Sequence, residues 1–269
     1  MAVLPSALAT ATLNNYSRSW SKYLEFCSYI SIPASLPISI RYASLFLVYL
    51  SNHKFSASSL STIMSGLSYY HKMRLLFDPF QSFPVRQLLQ ALKKNSPSTP
   101  DIRRPISENL LFQLLDKLHT LGLPNYEYTL FSTMFLFGFY FGLRIGEYTS
   151  SQHNLNFEEV VVSSTSVTIT FHSHKHSNRQ SLPHFINQTK LRYCPVVYAN
   201  RYLSLRPTVP GPFFIFRSKP ITSKKISSTL RQLVILLNLP PHLYSPHSFR
   251  IGAATHWFGK KIQMSVFVS

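Results

Sequence analysis

Acidic side chains are scarce in this chain: nine Asp and Glu stand against 27 Lys and Arg, a formal net charge of +18 over 269 residues. The basic excess is spread along the whole length and does not collect in a tail. Such a balance argues for a polyanionic partner, nucleic acid first and an anionic membrane surface second. A basic protein without any such partner is the plain alternative.

Cysteine is nearly absent as well. Cys27 and Cys194 are far apart and in no metal-ligand spacing, which argues against a disulfide scaffold and a structural zinc site and makes a reducing compartment the default. The opening stretch Met1-Ala-Val-Leu-Pro-Ser-Ala-Leu-Ala has neither a basic start nor a long apolar core, so a signal peptide is not expected. No apolar run is long enough for a bilayer. The longest, Leu130 to Leu143, contains Ser132 and Thr133 and reads as a buried helix. Internal repeats and low-complexity tracts are missing too.

What is present is enough chain for a sizeable core, divided by composition into two domains. Residues 1–95 read as helical. Leu13 to Ile30 carries Tyr16, Trp20, Tyr23, Leu24, Phe26 and Cys27 on one stripe. Ser39 to Leu50 follows with Tyr42, Leu45, Phe46, Tyr49 and Leu50 as its core face. Ser56 to Tyr70 opens on capping serines, Asp78-Pro79 is a break, and Val85 to Lys93 is the fourth helix. Residues 96–106 are polar, basic and proline-rich, the composition of an exposed, semi-rigid linker suited to lie along a phosphate backbone.

Over 107–269 the pattern is mixed. Ser107 caps a helix lined by Leu110, Leu111, Leu114, Leu115 and Leu118, and the buried helix Tyr128 to Tyr140 comes next. Val160 to Val162, Val167 to Phe171 and Gln180 to Ile186 are strand candidates for a small antiparallel sheet. Helices are expected from Pro195 and over Ser223 to Leu237, with a short apolar strand or loop at Gly211 to Phe216 between them. The predicted class is mainly α with a small antiparallel sheet (α+β).

Three places could carry chemistry. Arg144, in Gly142-Leu-Arg-Ile-Gly-Glu147, ends a segment too apolar to hide a guanidinium, so it is expected to emerge at a surface or a cleft where it meets an anion; an internal pair with Glu147 or a solvated helix end is the alternative. Thr168 to Arg179 has the form of a strand entering a basic hairpin with Lys175 near its tip. Its His172, His174 and His176 have no carboxylate or cysteine to complete a metal site. Finally His247 and Arg250 lie three apart after Pro246, on one face near a helix start, where backbone N–H groups and the macrodipole favour an anion. Gly252, Ala253 and Ala254 behind them permit close packing. A solvated helix face is the alternative there.

Together, Arg144 with Glu147, the hairpin lysine and the His-x-x-Arg of His247 and Arg250 resemble the tyrosine recombinase (phage integrase) family, in order and spacing and over most of the chain. The run His247 to Thr255, His-Ser-Phe-Arg-Ile-Gly-Ala-Ala-Thr, is similar to that of recombinases carried by eukaryotic mobile elements. The resemblance implies a helical, SAM-like core-binding domain joined to a DNA breaking-rejoining catalytic domain, closing as a clamp on duplex DNA. It also implies Arg144 and Arg250 as the phosphate clamp, Lys175 as general acid for the departing 5′ oxygen, and His247 as an aid to proton transfer or phosphate holding. Glu147 would support Arg144. No metal or nucleotide cofactor is implied, because a phosphotyrosine link conserves the energy of the broken bond.

One part of the family's pattern is missing. Its nucleophilic tyrosine comes well after the His-x-x-Arg helix, and the final segment, Trp257 to Ser269, contains none; neither Tyr148 nor Tyr244 stands at the motif position. The expectation is a C-terminally truncated recombinase that binds double-stranded DNA, alone or beside its own or full-length recombinase protomers, and does not cleave by itself. A non-catalytic regulatory DNA-binding remnant of a mobile element is the alternative. Membrane binding is disfavoured, since the helices lack the lysine-rich faces of interfacial helices. A nuclear location is expected from the DNA partner.

Overall fold

The computed structural model describes residues 8, 10–95, 100–150, 154–171 and 183–259, with side chains to residue 257. The chain divides into two units, Met1–Pro100 and Asp101–Ser269.

The first unit contains α1 (Thr10–Tyr29), α2 (Ile40–Asn52), α3 (Ala57–Met73) and α4 (Phe83–Asn95). Ser39 and Ser56 accept backbone N–H bonds from Tyr42 and Ser59 and so begin α2 and α3. The Asp78 carboxylate caps the single turn Pro79–Gln81 that ends the α3–α4 connection. Tyr23, Phe26, Phe46, Leu47, Leu50, Leu60 and Leu67 form the core; Tyr23 meets Phe46 edge-on with ring centroids 5.4 Å apart. His71 is fully buried yet satisfied. Its Nε2 accepts from the Ile38 N–H at 2.9 Å, which leaves Nδ1 to donate to the Leu67 carbonyl at 2.8 Å. Two expected core residues point out instead: Leu24 is 43% exposed and Leu45 44%. The neighbouring Leu47 takes the interior position on α2.

The second unit is built around α6 (Asn125–Tyr140), buried on all sides from Thr129 to Tyr140. Such a helix shows no polar face because neighbours surround it. Thr133 is accommodated by donating to the Thr129 carbonyl at 2.8 Å. Around α6 pack α5 (Glu108–His119), α7 (Pro195–Leu205) and α9 (His247–Gly259). Ser107 caps α5, as the sequence predicts, and α8 (Ser223–Leu236) rests on α5.

The sheet is β1 (Val160–Val162), β2 (Ser166–Ile169) and β3 (His184–Asn187), antiparallel in that order, with Val160 opposite Ile169 and Val167 opposite Ile186. Val167 and Ile169 face inward, and α7 covers that side. A two-residue hairpin, β4 (Ile215–Phe216) with β5 (Lys219–Pro220), turns through Arg217 and Ser218 at φ 50° and 60°. The buried Arg206 donates to the carbonyls of Pro207, Val209, Pro212 and Phe213 and fixes that loop. Among the described residues no helix is long and apolar enough to cross a membrane.

The expected linker is divided. Residues 101–105 are exposed, as predicted, but the segment is bonded to the second unit. The Arg104 N–H donates to the Leu243 carbonyl at 2.8 Å, and the Ile106 N–H to the Ser248 carbonyl at 3.0 Å.

Candidate nucleic-acid interface

Arg144 does not end the buried helix. α6 stops at Tyr140, and Gly142, at φ 61°, turns the chain through a left-handed conformation that a Cβ would strain. Leu143 plunges back into the core and Arg144 emerges in an extended conformation at the head of the turn Ile145–Glu147. Glu147 fastens it twice. One carboxylate oxygen accepts the Arg144 backbone N–H at 2.7 Å, and the other accepts its guanidinium at 2.8 Å. The arginine side chain stays 45% exposed and the carboxylate 13%, so the pair presents donors outward. The internal pairing anticipated as an alternative is present, and it orients the guanidinium without covering it.

The second arginine arrives on α9. Pro246 is buried and His247 opens the helix; Ser248 returns a side-chain bond to the Ser245 N–H at 3.1 Å. Phe249 is fully buried, its ring 4.9 Å from that of Phe135. At the other end of the helix the Trp257 indole N–H donates to the Tyr140 carbonyl at 3.2 Å. With α9 so fixed on α6, the Arg250 guanidinium donates to the Gly142 carbonyl at 2.7 Å. Thus Arg250 is anchored two residues before Arg144.

The close packing expected behind His247 is severe at one point. An added Cβ at Gly252 would stand 1.8 Å from the Ile106 carbonyl oxygen. Only glycine lets the strand-like segment 101–106 lie on α9, and that segment brings Arg103 and Asp101 beside His247. Arg103 forks onto Asp101 with N–H···O distances of 2.7 and 2.6 Å, which together with a backbone N–H bond holds the carboxyl at about 2.

The electrostatics are those of a site short of anions. Burial lowers the His247 pKa first, the charges of Arg103 and Arg250 lower it further, Asp101 opposes them, and Arg144 adds to the depression. Arg250 is likewise lowered by burial and then by Arg144, with Glu147 opposing. Three guanidiniums and an imidazole therefore share one electrostatic neighbourhood with two carboxylates, each already engaged by an arginine. A tetrahedral oxyanion would relieve the repulsion and be met by planar donor forks near a helix N-terminus.

Arg144, Glu147, His247 and Arg250, all singled out in the sequence, are brought together. Lys175, with His172, His174 and His176, lies outside the described residues. Sequence reasoning missed Arg103 and Asp101 as members of the site; the Asp-Ile-Arg-Arg just before the Ser107 cap is the signal, but only the chain's path places it against α9.

In the first unit, a groove of about 470 Å³ is lined by Tyr16, Ser61, Tyr69, Lys72, Arg86 and Lys93 among others. It pairs basic and aromatic side chains on one surface.

Among solved structures, the chain is similar to the XerH site-specific recombinase bound to a palindromic difH substrate in a post-cleavage complex. The TM-score is 0.62 at 13% identity, covering 92% of this chain and 69% of that one. It is similar also to the Tn1549 transposon integrase in complex with transposon right end DNA, at TM-score 0.62 and 12% identity over 95% of this chain and 83% of the other. A lambda integrase dimer bound to a COC′ core site matches with TM-score 0.61 and 14% identity over 97% and 88%. The chain has the tyrosine-recombinase fold. No protein-family model and no curated protein sequence matches it.

Proposed function

We propose that this protein binds double-stranded DNA as a member of the tyrosine recombinase family and acts in DNA recombination or integration. The observation that carries the reading is the convergence of Arg250 on the Gly142 carbonyl, beside Arg144 and its Glu147 brace. In this reading the two arginines clamp the non-bridging oxygens of one phosphate. His247, whose pKa is lowered by desolvation and by its cationic neighbours in the DNA-free protein, donates to the phosphate or passes a proton. Lys175 serves as the acid for the leaving 5′ oxygen.

The helical first unit takes the place of a core-binding domain, and its basic groove contributes sequence-independent phosphate contacts. The run His247 to Thr255 supports a recombinase of the type carried by eukaryotic mobile elements, and this reading includes a nuclear location. In this reading the chain holds DNA beside other recombinase protomers. A second reading is a regulatory DNA-binding protein that occupies sites without any cleavage.

The test is a duplex from the DNA flanking the gene, nicked near the candidate scissile phosphate. Binding is measured against salt, and covalent adducts are sought on denaturing gels. Tight, salt-steep binding that falls in Arg144→Ala and Arg250→Ala, without adducts, is expected. Adducts abolished by both substitutions would show that a residue of this chain attacks, and absent DNA binding would remove both readings.

A further inference from the structure

We propose that Arg103 is a further phosphate-contacting residue of this pocket and that Asp101 is its stand-in anion, occupying the guanidinium fork in the DNA-free protein and yielding it to a DNA phosphate. The proposal rests on the DNA-binding reading above and adds to it a residue outside the recombinase-like motifs and a built-in competitor.

Placement comes first. Residues 101–106 are attached by the Arg104 and Ile106 backbone bonds to the stretch 243–248 that leads into α9, and to α9 itself by the Gly252 contact. The main chain beside Arg103 is therefore held at a fixed place near the start of α9. Its charge is the largest single one acting on His247, ahead of Arg250 and Arg144.

The chemistry of the pair comes second. Asp101 engages Arg103 through both carboxylate oxygens, the side-on geometry in which a guanidinium also takes two oxygens of a phosphate. Both side chains are open to solvent, 40% for Arg103 and 53% for Asp101. An exposed pair of this kind is weakly held and exchanges without unfolding. The Arg103 backbone N–H also donates to the carboxylate, at 3.1 Å. Asp101 thus keeps a partner when the side chain of Arg103 leaves.

The test is a double-mutant cycle read by DNA binding to the same duplex over a salt series. Arg103→Ala is expected to weaken binding roughly tenfold and to reduce the log–log salt slope by about 0.9, the signature of one lost phosphate contact. Asp101→Asn is expected to tighten binding roughly threefold or more, and to do nothing in the Arg103→Ala background. Thermal melts check that each variant is folded, and Arg103→Lys, which keeps the charge without the fork, should fall between.

Tightening by Asp101→Asn that persists without Arg103 would mean the carboxylate acts on the pocket's field as a whole, and the stand-in role would be overturned. An Arg103→Ala variant with unchanged slope overturns the contact while leaving the Arg144 and Arg250 clamp intact. Only wild-type protein that fails to bind DNA removes the underlying reading.

Discussion

The α-carbon of Gly252 faces the Ile106 main chain so closely that a methyl group there would stand 1.8 Å from the carbonyl oxygen and 2.8 Å from the carbonyl carbon. Backbone cannot rotate away as a side chain can. Gly252→Ala must push residues 101–106 off α9, breaking the Ile106 bond to Ser248 and moving Arg103 from the pocket. A loss of about 3 kcal/mol is expected from overpacking, lowering the melting temperature by roughly 6–12 °C for a unit of this size. Calorimetry checks it, and an unshifted melt would show that the segment is not held as described.

His247 should titrate below the ordinary histidine value of about 6.5, because burial and the charges of Arg103, Arg250 and Arg144 outweigh Asp101. Its folded pKa is depressed, so between that value and 6.5 the unfolded chain binds more protons than the folded one. Stability from this residue is complete above about pH 6.5 and is lost as pH falls through the folded value. A phosphate in the pocket reverses the balance by favouring the imidazolium. NMR titration of the His247 ring should show a low midpoint without DNA and a higher one with a short duplex. Identical midpoints would place the phosphate elsewhere.

The elements were legible where local chemistry decides them. Ser39, Ser56 and Ser107 announce α2, α3 and α5 because a short hydroxyl reaches the free N–H groups of a first turn, and each does so here. Pro195 and Pro246 mark the starts of α7 and α9 for another local reason, a ring that presets φ and an N–H that is not missed at a helix start. Leu24 and Leu45 were misplaced because an apolar stripe of helical period does not say where its edge meets solvent; the edge depends on which helix packs alongside. The site was half legible. Arg144, Glu147, His247 and Arg250 follow a pattern of spacing, whereas Arg103 and Asp101 enter through backbone bonds between 104–106 and 243–248 that no spacing encodes. The tie of Arg250 to Gly142 belongs to the same class of long-range contacts.

Tyr148 offers a test of which hydroxyl does not react. Its ring is buried and its hydroxyl has no hydrogen-bond partner among the described residues, while burial pushes the phenol well above its ordinary range. A buried, unpaired hydroxyl contributes nothing that phenylalanine cannot. Tyr148→Phe should leave stability unchanged or raise it by about 1 kcal/mol, with DNA binding and any adduct formation as in the wild type. Denaturant titration and the nicked-duplex assay read both. Loss of an adduct in this variant alone would make Tyr148 the nucleophile and require α6 to open.

Arg144 and Arg250 should separate by their effects on stability although the proposed clamp assigns both to one phosphate. Arg144 is nearly half exposed and spends one guanidinium donor on Glu147; removing it gives up a partly exposed ion pair while the Glu147 carboxylate keeps the residue-144 backbone N–H, a loss of about 1 kcal/mol. Arg250 is partly buried and its bond to the Gly142 carbonyl joins α9 to the turn that follows α6. Arg250→Ala loses that bond and strands the carbonyl, a loss of about 2 kcal/mol. Each substitution should weaken DNA binding and flatten its salt dependence, since each takes a guanidinium from the backbone contacts. Chemical denaturation and binding measured on the same preparations distinguish the two. If Arg250→Ala proved as stable as Arg144→Ala, the Gly142 bond would not be what holds the clamp together, and the convergence of the two arginines would have to arise from DNA itself.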